Sequence, residues 1–303
     1  MNEMRHFLDL DILDVSVLRE ILHISKKIKT NHLAGRSAKT LLGKSLVCIF
    51  EKPSTRTRIS FQIGIEQLGG SAVIINGEDS HLGSRESIAD TARVLSRYAD
   101  GIMIRTDRAA KLHELAKYAS IPVINGLTDE SHPCQIMADI MTFEEHRGEI
   151  AGKNIAWSGD GNNVLNSWIH AAAHFNFVLR IGCPSNRLPS LKIIDAGIEN
   201  GGDIRICRSP AEAIEGAHLV LTDTWVSMGN ENAVARRQNL RPFQVDQALM
   251  ALAANDAVFM HCLPAHRGEE VTEEVIDGSQ SLVWDEAENR LHIQKGILNW
   301  CLE

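Results

Sequence analysis

Short apolar runs alternate with amphipathic stretches along almost the whole chain, and that alternation constrains the fold more than any other feature. An N-terminal helix is predicted over residues 15–29, where Val17, Ile21, Ile24 and Ile28 recur at helical spacing. Strands follow at 46–50, 72–75, 101–104 and 123–124, separated by helices at 59–68, 87–98 and 109–119. A long helix at 135–147 leads into Gly148 and Gly152, and the alternation then restarts. The second series has strands at 154–157, 177–181, 203–207, 219–222 and 257–260, with helices at 162–175, 191–200, 210–215 and 245–253. A last strand is expected near 282–284 and a C-terminal helix from about Leu291. Repeated βα units imply parallel sheets covered on both faces. The chain therefore reads as α/β with two domains, each a parallel β-sheet flanked by helices, and a cleft between them. The first is residues 1–147, with 287–303 packing back on it, and the second is 148–286. Open sheets of this kind bind ligands beyond the carboxyl ends of their strands, so the chemistry belongs in the strand-to-helix loops.

The 303 residues suffice for two cores, and 44% hydrophobic with 23% charged content is that of a globular protein rather than a disordered one. The first ten residues mix Glu3, Arg5, His6 and Asp9 with apolar ones and lack a signal-peptide core, so a cytoplasmic address is the expectation. Cys48, Cys134, Cys183, Cys207, Cys262 and Cys301 are scattered without a C-x-x-C pair, which argues against a disulfide framework, a zinc ribbon or a dithiol centre. A formal charge of -8 disfavours nucleic acid and anionic membrane as partners.

Local clusters of arginine then carry the information. Phe50-Glu51-Lys52-Pro53-Ser54-Thr55-Arg56-Thr57-Arg58 joins a strand to a helix. It offers two possible caps, free backbone N–H groups and guanidinium forks, the ingredients of an anion site. An ordinary N-cap with two solvated arginines would look the same. Arg105 closes the strand at 101–104, and His132-Pro133-Cys134-Gln135 opens the long helix. Together these loops give hydrogen-bond donors and cations that suit a phosphate dianion beside a carbonyl. In the second half, Gly159-Asp160-Gly161-Asn162-Asn163 sits where a dinucleotide turn would, yet lacks the third glycine, so Asn and Asp there suit an amide or ammonium ligand better. Asp223-Thr224-Trp225-Val226-Ser227-Met228-Gly229 supplies a carboxylate and a hydroxyl. His261-Cys262-Leu263-Pro264 reads either as a buried structural thiol or as part of the site; neighbouring His and Cys on an extended segment point opposite ways, which disfavours zinc.

This set of motifs resembles the carbamoyltransferase superfamily and, within it, the ornithine carbamoyltransferase family. The run Ser54-Thr55-Arg56-Thr57-Arg58 looks like the carbamoyl phosphate signature, supported by Arg105 and His132-Pro133-Cys134-Gln135. The Asp223 to Gly229 stretch, His261-Cys262-Leu263-Pro264 and Asn163 look like ornithine-binding and cysteine loops rather than aspartate-binding ones. The likeness extends to Arg290 in Ala287-Glu288-Asn289-Arg290.

The resemblance implies transfer of the carbamoyl group from carbamoyl phosphate to the δ-amino group of L-ornithine, giving L-citrulline and phosphate, in arginine biosynthesis. It implies no cofactor and no metal. A different amine acceptor, such as a modified ornithine or putrescine, or the catabolic direction, is the alternative. By the same likeness Ser54, Thr55, Arg56, Thr57 and Arg105 hold the phosphate, while His132, Gln135, the Cys262-Leu263 backbone and Arg290 surround the carbamoyl group. His81 would enter the site of a neighbouring subunit in a homotrimer. Asn163 and Met228 would take the ornithine carboxylate, and Asp223 and Ser227 its α-ammonium. Cys262, Arg105, His132 and Arg56 are the implied catalytic residues.

Overall fold

The computed structural model describes residues 4–77, 86–226 and 232–303. His81, Ser227 and Met228 lie outside the described residues. The chain divides into two units: Met1–Ala138 with Asn289–Glu303, and Asp139–Glu288.

The first unit runs α1 (Val15–Leu33), β1 (Ser45–Phe50), α2 (Thr55–Gln67), β2 (Ser71–Asn76), α3 (Ile88–Tyr98), β3 (Gly101–Arg105), α4 (Ala109–Tyr118) and β4 (Val123–Leu127). Among the described residues four strands pair in parallel, in the order β2-β1-β3-β4. β1 is buried along nearly its whole length because helices cover both faces, which is why its sequence reads as a continuous apolar run. Val47, Ile49, Ile102, Ile104, Leu112 and Leu115 form the centre of one core cluster. The strand order reverses between β1 and β3, and Phe50 pairs with Arg105, so the loops leaving these two strands start side by side. That is the switch point where such sheets take ligands.

The helix α5 (Pro133–Arg147) contains the boundary between the units. The second unit continues with β5 (Asn154–Ser158), α6 (Asn163–Phe175), β6 (Val178–Gly182), α7 (Leu191–Glu199), β7 (Asp203–Ile206), α8 (Pro210–Ile214), β8 (Leu219–Leu221), α9 (Ala233–Leu240), α10 (Gln247–Met250), β9 (Val258–Met260), α11 (Glu273–Ile276) and α12 (Val283–Leu302), whose later residues return to the first unit. Its strands are parallel in the order β7-β6-β5-β8-β9 among the described residues, with the reversal between β5 and β8. Among the described residues no helix is long and apolar enough to cross a membrane.

Several predicted boundaries move. The expected strand at 282–284 is the start of α12, and only Ser281 bridges to Phe259. Val283 and Trp284 have strand-type side chains, but Asp285 and Glu286 fill a first helical turn, where carboxylates oppose the helix dipole. The C-terminal helix consequently begins at Val283, not near Leu291, and Arg290 sits inside it. The helix expected over 245–253 shrinks to α10 because Asp246 caps it, accepting from the Leu249 N–H, while Val245 bridges to Val271 instead. α2 begins at Thr55 rather than Ile59, so the motif itself forms the first turn. α9 was not expected at all; Ala233–Leu240 buries only Leu240 and carries no apolar stripe to read.

Candidate active site

In the first unit Ser54 holds the N-cap position of α2, but its side chain makes no capping bond, contrary to the expected cap. The unpaired N–H groups of the first turn are therefore not taken up by that hydroxyl, and a helix of 13 residues presents its positive end there. Thr55, Arg56 and Arg58 are exposed, whereas Thr57 is 1% exposed and points inward. The Thr57 Oγ1 accepts from Arg290 Nη2 at 2.9 Å and from Arg105 Nη1 at 3.4 Å. A hydroxyl has two acceptor lone pairs and one proton. With two guanidinium donors on the oxygen, the proton is directed elsewhere.

His132 is buried just ahead of α5. Burial, then the charges of Arg290 and Arg105, hold its pKa well below the ordinary 6.5, so the imidazole is neutral at physiological pH. Gln135 is also fully buried in the first turn of α5. Cys134 between them is inert: burial pushes its thiol up to about 12, and it donates to Asn125 O at 3.3 Å.

Sequence reasoning missed the brace behind these loops. Glu51 Oε1 and Oε2 accept from Lys111 Nζ at 2.7 and 2.8 Å, Thr106 Oγ1 donates to the same carboxylate, and the Glu51 N–H meets Arg105 O at 2.9 Å. Lys52 pairs with Asp129 at 2.9 Å. The β1 loop is thereby tied to the loops of β3 and β4. The only signal was a carboxylate standing directly after an apolar strand.

In the second unit the turn after β5 and the loop after β8 meet. Asn162 caps α6, its Oδ1 accepting from Val164 N at 3.0 Å and Leu165 N at 3.1 Å, while its Nδ2 donates to Asp223 Oδ2 at 2.6 Å. Asp223 Oδ1 accepts from Thr224 N at 2.7 Å and from Cys262 Sγ at 3.1 Å. Burial of the sulfur, followed by the negative charges of Asp223, Glu286 and Asp139, pushes the Cys262 thiol well above its ordinary value. Cys262 is thus a protonated donor here. Asn163 opens α6 at the same turn, half-buried.

Residues 5–145 match the family described as aspartate/ornithine carbamoyltransferase, carbamoyl-P binding domain, and residues 151–301 match its Asp/Orn binding domain. The chain belongs to the aspartate/ornithine carbamoyltransferase family. A protein named ornithine carbamoyltransferase in Rhodopseudomonas palustris (strain BisA53) is 56% identical over 305 residues, covering 99% of this chain and 98% of its own. Its namesake in Rhizobium meliloti (strain 1021) is 54% identical over 298 residues, 98% of each chain. Among solved structures, the ornithine carbamoyltransferase from Pyrococcus furiosus superposes with a TM-score of 0.95 at 45% identity, over 98% of this chain and 97% of that one.

Carbamoyltransferase membership makes the surroundings of Cys262 informative. His261 is buried; its main-chain N–H donates to Glu286 Oε2 at 2.8 Å, its Nε2 faces Glu270 Oε1 at 3.2 Å, and its Nδ1 accepts from Leu263 N at 2.9 Å. Leu263 is held with φ +55°, a left-handed conformation uncommon for a branched residue. The ligating atoms of Asp223, His261 and Cys262 lie within 4.8 Å of one another, closer than the extended-segment argument allowed. Both ring nitrogens of His261 are nevertheless engaged within the loop, so this donor set does not suit a cation. Asp160, which the sequence pointed toward an ammonium ligand, is instead buried against Arg236 Nη2, with Arg187 Nη1 at 3.7 Å.

Proposed function

We infer that this chain transfers the carbamoyl group of carbamoyl phosphate to the δ-amino group of L-ornithine, yielding L-citrulline and phosphate. The observation that carries the reading is the full-length identity to proteins named ornithine carbamoyltransferase, 56% for the Rhodopseudomonas palustris relative and 54% for the Rhizobium meliloti one. In unit 1, Ser54, Thr55, Arg56, Thr57 and Arg105 take the phosphate, and His132, Gln135 and Arg290 the carbamoyl group. The double donation onto Thr57 and the open first turn of α2 support this. In unit 2, Asp223, Asn163 and Cys262 serve the amino acid, and Ser227 and Met228 complete that set. A homotrimer to which His81 contributes across subunits is part of the same reading, as is the citrulline-forming direction of arginine biosynthesis.

The chemistry follows from the protonation states. A neutral His132 can donate a hydrogen bond to the carbamoyl oxygen without adding a charge to a site already rich in guanidinium. The δ-amine resembles lysine, with a reference pKa of ~10.4, so roughly one molecule in a thousand is a free amine near neutral pH. Its nitrogen forms a bond to the carbamoyl carbon as the C–O bond to phosphate breaks, and phosphate leaves with the electron pair. Because the Cys262 thiol is a donor, the leaving phosphate is the acceptor for the amine proton.

The test is colorimetric citrulline formation from carbamoyl phosphate and ornithine, omitting each in turn, beside parallel reactions with putrescine, an Nα-modified ornithine and aspartate. Absence of ornithine-dependent ureido product would overturn the assignment. Product with a different amine alone would move the chain to another branch of the family.

A further inference from the structure

Arg236 lies on α9, a helix that the functional reading does not use. Its guanidinium serves two loops at once. Nη2 meets the buried Asp160 carboxylate in the turn after β5, and Nε donates to Trp225 O at 2.5 Å in the loop after β8. These are the loops that flank the switch point of the second sheet. Two residues beyond Asp160 is Asn162, two residues before Trp225 is Asp223, and Asn162 Nδ2 joins Asp223 Oδ2 at 2.6 Å. Side chain and main chain therefore close a ring: Arg236 to Asp160, along the turn to Asn162, across to Asp223, along the loop to Trp225, and back to Arg236.

A second brace holds the same helix and turn. Arg187 Nε donates to Asn239 Oδ1 at 3.1 Å, Arg187 Nη1 lies 3.7 Å from Asp160 Oδ1, and Arg187 O accepts from Gly161 N at 2.9 Å. Any Cβ at position 161 would collide with that carbonyl, so the turn has one seat. The ring is thus fixed at its β5 side, and Arg236 sets where the β8 side stands against it.

We propose that Arg236 is a positioning residue for the amine substrate, fixing the Asp223 carboxylate by holding the Trp225 carbonyl and Asp160 at a set separation. This rests on the reading of Asp223 as an ornithine contact. Arginine is needed because its rigid fork reaches two acceptors in different directions, whereas the single ammonium of lysine keeps the ion pair and loses the carbonyl.

Steady-state kinetics of Arg236→Gln and Arg236→Lys test it, with folding checked by thermal melts. Arg236→Gln is expected to raise the ornithine KM by about tenfold or more, the loss of a charge-assisted contact, while the carbamoyl phosphate KM stays within about twofold. Arg236→Lys is expected to recover only part of that loss. In both variants the ratio of kcat/KM for ornithine over lysine and 2,4-diaminobutyrate should fall, a readout that general loosening would not move. If Arg236→Gln does not fold, Arg236→Lys carries the test alone. An ornithine KM within about twofold of the parent, or an equal rise in both substrates' KM, would overturn the proposal. Citrulline formation by the parent in the same assay separates that outcome from failure of the functional reading itself.

Discussion

Cys262 Sγ stands 3.1 Å from Asp223 Oδ1 with the thiol as donor, so the cysteine is an acid group and not a thiolate. Cys262→Ser preserves a donor but shortens its reach. The expected result is an ornithine KM raised about tenfold with carbamoyl phosphate binding unchanged, measured by kinetics and by calorimetry of carbamoyl phosphate alone. In the parent, iodoacetamide labelling of Cys262 should show no inflection between about pH 7 and 9, where a free thiol would titrate. Ornithine kinetics equal to the parent's would remove this residue from the mechanism.

Thr57→Val keeps the shape of the side chain and removes the oxygen shared by Arg105 and Arg290. The buried Arg290 and the half-buried Arg105 then lose a common acceptor, and each lost charge-assisted bond is worth about 1.5–3 kcal/mol. The carbamoyl phosphate KM should rise by about tenfold or more with little change for ornithine. A variant with parental carbamoyl phosphate kinetics would mean that the hydroxyl is only a packing element.

Arg56 and Arg58 are both exposed on the first turn of α2. If Arg56 grips phosphate and Arg58 does not, Arg56→Gly should lower kcat/KM for carbamoyl phosphate by about a hundredfold or more at any ornithine concentration, and Arg58→Ala by less than about threefold. Near-normal turnover of the Arg56 variant would reduce the motif to a helix start.

His292 is buried beside Lys295, Lys29 and His32, and burial followed by those charges lowers its pKa from 6.5 to about 3. His132 is depressed in the same direction. Below pH 6.5 the unfolded chain binds protons at these positions while the folded chain does not, so stability must fall as pH drops from 6.5 toward about 3. Melting temperatures between pH 7.5 and 4.5 should therefore decline in the parent, and the decline should be shallower, by about one proton, in His292→Gln. Equal slopes would show that His292 is protonated in the native state.

Much of this was legible because parallel sheets demand uninterrupted apolar strands, and the loops between them were left as the polar remainder. Arg105 was placed correctly because a cation directly after Ile102-Met103-Ile104 has nowhere to go but the strand end. What escaped has a common cause: residues whose partners are distant in sequence and whose role is to hold other residues. Glu51 looked like one charge among several until Lys111 and Thr106 were seen on it. Asp160 looked like a ligand because a carboxylate in a glycine turn is open to two readings, and Arg236 decides between them from a helix with no apolar periodicity. The last helix was misjudged for a different reason. Val283 and Trp284 argue for a strand by side-chain type, whereas the carboxylates after them argue for a helix by electrostatics, and the second effect won.

The contact between Arg290 and Thr57 also has a meaning in time. The two residues are 233 positions apart, and at roughly 5–20 residues per second of synthesis Arg290 is made about 10–50 s after Thr57. Through that interval a nascent chain carries the whole Ser54 to Arg58 motif and lacks one of the two cations that orient Thr57. The Ser54 to Arg58 run is therefore early in translation and its pairing with Arg290 late, which gives the growing chain a period in which Thr57 is not yet held in its finished geometry.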